Sequence, residues 1–153
     1  MEPVEVSKLI KEAVESAKAA RSTHEISIEL ESEDLFLLGD SIRIHQVIAN
    51  LLANAQIHTP PGSKIIVSAG QDDFATYICV SDNGHGISVE SQERIFERFY
   101  RADLSRMRSG VEGTGLGLSI VDAVMKAHGG QVKVESELGK GAKFTLTFPI
   151  KDL

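Results

Sequence analysis

The chain has 153 residues, enough for one domain that buries about 70% of the surface its unfolded form exposes. Hydrophobic residues make up 42% and charged residues 25%, as in an ordinary globular protein, and a net charge of −6 argues against a general nucleic-acid binder. One cysteine, Cys79, rules out an internal disulfide, and no apolar run approaches the roughly 20 residues of a membrane span.

Val6, Leu9, Ile10, Ala13, Val14 and Ala17 recur at steps of three and four, which predicts an amphipathic helix over 4–21. His24 follows in a polar turn. Residues 25–31 alternate, with Ile26, Ile28 and Leu30 on one face, as in a half-buried strand. A second short strand spans 35–38 and ends at Gly39, and Asp40 is placed to cap the next helix.

That helix, over about 40–57, carries an apolar stripe of Ile44, Val47, Ile48, Leu51, Leu52 and Ala55. Asn50 and Asn54 sit four residues apart at its edge, about 40° from each other around the axis. Asparagine is a mediocre helix former, so two in register need a reason. Either they bond a neighbouring loop, or their amide oxygens face a hard cation such as Mg²⁺, whose remaining ligands are phosphates and water.

Thr59-Pro60-Pro61-Gly62 ends the helix, and strands over 64–69 and 76–81 follow. Cys79, inside the apolar run Tyr77-Ile78-Cys79-Val80, reads as a buried core residue. The second strand runs into Asp82-Asn83-Gly84-His85-Gly86-Ile87. Such a cluster is a turn. It could also offer an acceptor-only carboxylate to an adenine amine, with glycines leaving room for the ring. A helical segment within 89–99 carries Ile95, Phe96 and Phe99, with Arg98 and Arg101 alongside, and a polar loop then runs to Glu112.

Gly113-Thr114-Gly115-Leu116-Gly117-Leu118-Ser119-Ile120-Val121 comes next. Alternating glycines suit neither helix nor strand, but they let a backbone approach another body closely. They open a helix over 117–128, where free N–H groups and the helix dipole favour phosphate oxygens. The string lacks the Lys-Ser/Thr pair of a P-loop, and no strand precedes it as in a dinucleotide fold. A flexible loop before a core helix is the alternative. Gly129-Gly130 stops that helix, and strands over 131–136 and 143–149 close the chain around Gly139-Lys140-Gly141. The order of elements gives an α+β, two-layer sandwich: a mixed, mostly antiparallel sheet with about three helices on one face, read as a single domain over 1–153.

Together these stretches resemble the catalytic, ATP-binding domain of sensor histidine kinases, within the gyrase–chaperone–histidine kinase–mismatch-repair ATPase superfamily. The N box is similar to 46–55 with His58-Thr59-Pro60 after it, the first glycine box to 82–87, the F box to 95–101 and the second glycine box to 113–121, with His128-Gly129-Gly130 downstream. The resemblance implies a Bergerat-type fold with an ATP lid over about 102–112. It implies that Asn54, with Asn50, holds Mg²⁺ on ATP. Asp82 would read the adenine amine, with Gly84, Gly86, Ile87 and His58 beside the nucleotide. Gly113, Thr114, Gly115, Leu116, Gly117 and Leu118 would meet the phosphates, with Arg98 or Arg101 as a further phosphate contact. The implied reaction moves the γ-phosphoryl of ATP to a histidine on a dimerisation domain, and from there to an aspartate of a response regulator.

Two positions depart from the family pattern. Ile57 stands where Lys or Arg is usual, and Ala142 where Thr is often found. None of His24, His45, His58, His85 and His128 lies in an acceptor motif resembling Ser-His-Glu-Leu-Arg-Thr-Pro. The expectation is therefore a monomeric catalytic domain, the cytoplasmic portion of a longer, membrane-anchored kinase. An anti-sigma-factor serine kinase and a nucleotide-binding interaction module without phosphotransfer are the other readings.

Overall fold

The computed structural model describes residues 1–21, 23–97 and 117–150. Its elements in chain order are β1 (Glu2–Glu5), α1 (Val6–Ala20), β2 (Glu25–Leu30), β3 (Phe36–Gly39), α2 (Ser41–His58), β4 (Lys64–Gln71), β5 (Ala75–Asp82), a short α3 (Val89–Gln92), α4 (Gly117–Ala127), β6 (Gln131–Ser136) and β7 (Ala142–Pro149). Five strands form one sheet in the order β2-β4-β5-β7-β6. The β2–β4 pair is parallel and the other three are antiparallel. A parallel neighbour needs a long crossover, and the chain between β2 and β4 supplies α2 as that crossover. The helix stripe is thereby laid on the sheet.

Alternation along the strands sends Ile26, Ile65, Val67, Ile78, Val80, Phe144, Leu146 and Phe148 into the core. They meet Leu9, Ile10, Ala13 and Val14 of α1, the whole predicted stripe of α2, and Val121, Val124 and Met125 of α4. Three helices thus cover one face, as expected. Burial of each large aliphatic side chain stabilises the fold by about 1.5–3 kcal/mol. The Asp40 carboxylate caps α2, accepting from the N–H groups of Ile42 at 3.1 Å and Arg43 at 3.2 Å. At the other end of the helix Gln56 is buried, and its side-chain amide donates to the carbonyls of Ala17 and Arg21, so α2 caps the end of α1.

Four expectations change. Residues 4 and 5 belong to a strand and not to α1, because β1 finds an antiparallel partner in β3, with Val4 opposite Leu37. Cys79 is half-buried on the open face, its thiol 3.6 Å from the Thr145 hydroxyl. The pleat turns Ile78 and Val80 inward and leaves Cys79 outward. His24 is only 8% exposed, although its sequence neighbours are polar. The segment 89–99 holds just one regular turn of helix at its start, α3, within its described part. No helix among the described residues is long and apolar enough to cross a membrane.

Candidate functional site

Of the residues singled out in sequence that are described, Asn50, Asn54 and His58 lie on α2, Gly117 meets its middle and the Asp82 turn meets its C-terminal end. Asn50 and Asn54 are both half-buried. The amide nitrogen of Asn50 donates to the carbonyl of Gly117 at 3.4 Å, which ties the middle of α2 to the first residue of α4. The amide oxygen is the atom suited to a hard cation. Among the described residues no group of three or more His, Cys, Asp or Glu is placed to hold a metal. A cation held by these amides would complete its shell with oxygens of a ligand.

No described atom lies within 4 Å of where a β-carbon on Gly117 would stand. Among the described residues nothing outside its own helix backbone and chain neighbours requires glycine there. Leu118 is half-buried and packs on the core. The other predicted phosphate-contacting residues, Gly113, Thr114, Gly115, Leu116, Arg98 and Arg101, and the lid over 102–112, lie outside the described residues.

Asp82 ends β5 at the far end of α2. Its Oδ1 accepts from the N–H of Gly84 at 2.9 Å. Burial raises its carboxyl above the usual aspartate range, while N–H donors from Gly84 and Ala142 and the nearby His24 pull the other way. Ala142 thus contributes through its backbone where the family often places a threonine side chain. The two glycines of this turn serve the protein as well as any ligand. A β-carbon on Gly84 would collide with the Thr59 methyl and come within 3.2 Å of Asp82 Oδ1. Gly86 has φ of 79°, a conformation that favours glycine, and a β-carbon there would strike the carbonyl of Glu137.

The turn is fastened from the β6–β7 hairpin. Ile87 N–H donates to the Ser136 hydroxyl at 2.7 Å, and the hydroxyl donates to the Gly141 carbonyl at 2.6 Å. The Gln92 amide donates to the carbonyls of both Ile87 and Ser136. Gly139 N–H donates to the His85 carbonyl at 2.7 Å. Ser136 and Gln92 went unnoticed in the sequence, since they bond partners 49 and 44 residues away that carry no local pattern, and Thr59 was named there only as part of the segment that ends α2. His58 is exposed at the last residue of α2.

One helix thus joins a pair of amides, set against the start of a glycine-led helix, to a half-buried carboxylate in a glycine turn. Residues 39–152 match the family of histidine kinase-, DNA gyrase B- and HSP90-like ATPases. The chain belongs to that family. Within it, this ATPase domain is of the histidine-kinase kind. It is 41% identical over 148 residues to the probable sensor histidine kinase TcrY of Mycobacterium tuberculosis, covering 97% of the chain and 31% of TcrY. It superposes on the catalytic domain of histidine kinase ThkA, in a nucleotide-free form, with a TM-score of 0.80 and 29% identity, over 97% of this chain and 98% of that one. Full-length ShkA in complex with AMPPNP matches with a TM-score of 0.79 and 29% identity, over 99% of this chain and 31% of ShkA. The chain therefore spans about a third of the length of the curated relatives it matches.

Proposed function

We propose that this domain binds Mg–ATP and donates the γ-phosphoryl group to a histidine on a separate dimerisation domain of a two-component sensor kinase. The observation that carries the proposal is the arrangement along α2. A half-buried Asp82 carboxylate stands in a glycine turn beside one end of the helix, and Asn50 is bonded to the start of α4 further back along it. Asn50 and the end of α2 at His58 are eight residues apart, on the order of 12 Å by helical rise, a span comparable with an extended nucleotide.

In this reading the ionised Asp82 accepts from the adenine 6-amine, and Gly84, Gly86 and Ile87 hold the turn beside the base, with His58 contributing at the end of α2. Asn54, aided by Asn50, holds Mg²⁺ through neutral oxygens that do not repel the phosphates. Mg²⁺ bound there would draw off charge that builds on the phosphate oxygens. Gly113, Thr114, Gly115, Leu116, Gly117 and Leu118 supply backbone donors at the entrance to α4. Arg98 or Arg101 adds a cation, and residues 102–112 cover the nucleotide. A ring nitrogen of the acceptor histidine forms the new N–P bond as the bond to the ADP oxygen breaks, and an aspartate of a response regulator receives the group later. The share of this domain is positioning and charge stabilisation. In the whole protein it would occupy the cytoplasmic side of a membrane-anchored kinase.

Ile57, where the family usually has a cation, favours a second reading, a nucleotide-binding module without transfer. Incubating the domain with γ-labelled ATP and its purified dimerisation domain separates the two. Label on a histidine of the dimerisation domain supports transfer. Tight ATP binding with no label supports the second reading.

A further inference from the structure

His24 and Thr59 lie outside every role assigned above, yet both are buried, at 8% and 5% exposure, next to the Asp82 turn. The Thr59 hydroxyl donates back to the Ala55 carbonyl at 2.7 Å. Its proton is thereby committed, so at the 2.8 Å contact with His24 the hydroxyl is the acceptor and the imidazole Nε2–H the donor. On the other side of the ring, Nδ1 pairs with the Thr23 hydroxyl at 2.9 Å. The loop that carries His24 is itself stitched to the turn after α2, by Gly62 N–H to the Thr23 carbonyl at 2.8 Å and Glu25 N–H to the Ser63 carbonyl at 3.2 Å. Two hydrogen bonds therefore lock the Thr59 side chain in one rotamer. That rotamer presses its methyl against Gly84, whose N–H holds Asp82 Oδ1.

We propose that His24 and Thr59 form a positioning clamp: Nε2–H fixes the Thr59 hydroxyl, the Thr59 methyl fixes Gly84, and Gly84 N–H fixes the Asp82 carboxylate where it accepts from the adenine amine. The inference rests on the reading of Asp82 as the adenine acceptor. The three links come from three distant stretches, the loop before β2, the turn after α2 and the end of β5. Neither residue needs to touch the nucleotide. Their effect is on base selectivity, because an acceptor that wanders loses its directional bond while the phosphate contacts persist.

The test compares ADP with purine riboside 5′-diphosphate, which lacks only the 6-amino group, by calorimetric titration. The ratio of the two affinities is taken on one preparation, so the fraction of folded protein cancels. Thr59→Val keeps the shape and removes the hydroxyl, and His24→Phe removes the donor. Each should lower the ratio about five- to tenfold, as for one hydrogen bond lost, through weaker ADP binding and with the analogue nearly unaffected. His24→Gln places an amide N–H near the Nε2 position and should restore the ratio to within about twofold of the parent. Variants that keep the full ratio, or that weaken both ligands equally, overturn the clamp and leave the Asp82 reading standing. A parent that binds both ligands alike fails the Asp82 reading, and the clamp with it.

Discussion

Burial makes the Asp82 carboxyl hold its proton to higher pH in the folded domain than in the unfolded chain. Ionising it therefore costs stability. That cost is absent below the unfolded pKa and complete above the raised folded one. Asn in its place keeps an oxygen for Gly84 N–H. We expect Asp82→Asn to leave the melting temperature of the ligand-free domain at pH 7 unchanged or higher, with any gain shrinking as pH falls through the folded value. ATP binding should meanwhile weaken by about 1.5–3 kcal/mol, the range for a hydrogen bond to a charged group, and the parent should bind GTP poorly because a carbonyl would face the carboxylate. Equal calorimetric affinities for ATP and GTP would remove the role given to Asp82. At the metal end, Asn54→Ala should shrink the gain in ATP affinity on adding Mg²⁺ while adenosine binds as before. An unchanged ratio of affinities with and without Mg²⁺ would make Asn54 purely structural.

Among the elements, α2 carries most of the load, since its one turn of N-cap, its apolar stripe and its amides serve the core and the site together. Its start is held twice. The Asp40 side chain accepts from Ile42 and Arg43, and the Asp40 N–H donates to His128 Nε2 at 3.0 Å. His128 Nδ1–H donates to the Val124 carbonyl at 2.8 Å, which sets the tautomer, and the ring meets Phe148 edge-on. Asp40→Ala should cost about 1 kcal/mol, as for a lost cap. His128→Phe leaves a main-chain N–H at a packed junction without its acceptor and should cost about 1–3 kcal/mol. Urea unfolding at constant m-value measures both, and a null result for His128→Phe would mean that water replaces the imidazole.

For the whole molecule, the proposed reading makes the domain the nucleotide half of a transfer reaction whose nucleophile another domain would hold in line. Alone, it should bind Mg–ATP and fail to label itself. Given its dimerisation domain as a separate chain, it should label the acceptor histidine slowly, since tethering is lost. Ile57→Lys sets a cation one turn beyond Asn54. It should tighten ATP binding if no other cation meets the terminal phosphates, and change little if Arg98 or Arg101 already does, in which case replacing the arginine by Ala should abolish transfer. Stable label on one of the chain's own histidines, located by mass spectrometry, would overturn the view that the acceptor lies elsewhere.

What the sequence alone determined were the features written in short-range order. The stripe of α2, the cap at Asp40, the strand alternation and the glycine stop at Gly129, which has φ of 71°, all follow from neighbours within a turn or two. The Asn50/Asn54 pair and the Asp82 turn were legible for the same reason, since each is a local cluster of unusual residue types. Only the tertiary structure decided matters that depend on partners far along the chain. β1 exists because β3 offers it an edge, and Cys79 faces outward because the pleat, not its apolar neighbours, sets its side. His24 looks like a turn residue until Thr59, 35 residues on, supplies a hydrogen-bond partner that makes its burial tolerable. Gly84 and Gly86 were legible as glycines but not in their reason, because the atoms that exclude a side chain there come from Thr59 and Glu137. Local pattern encodes which surface a segment hides, whereas the identity of what it meets is set only when the layers close on each other.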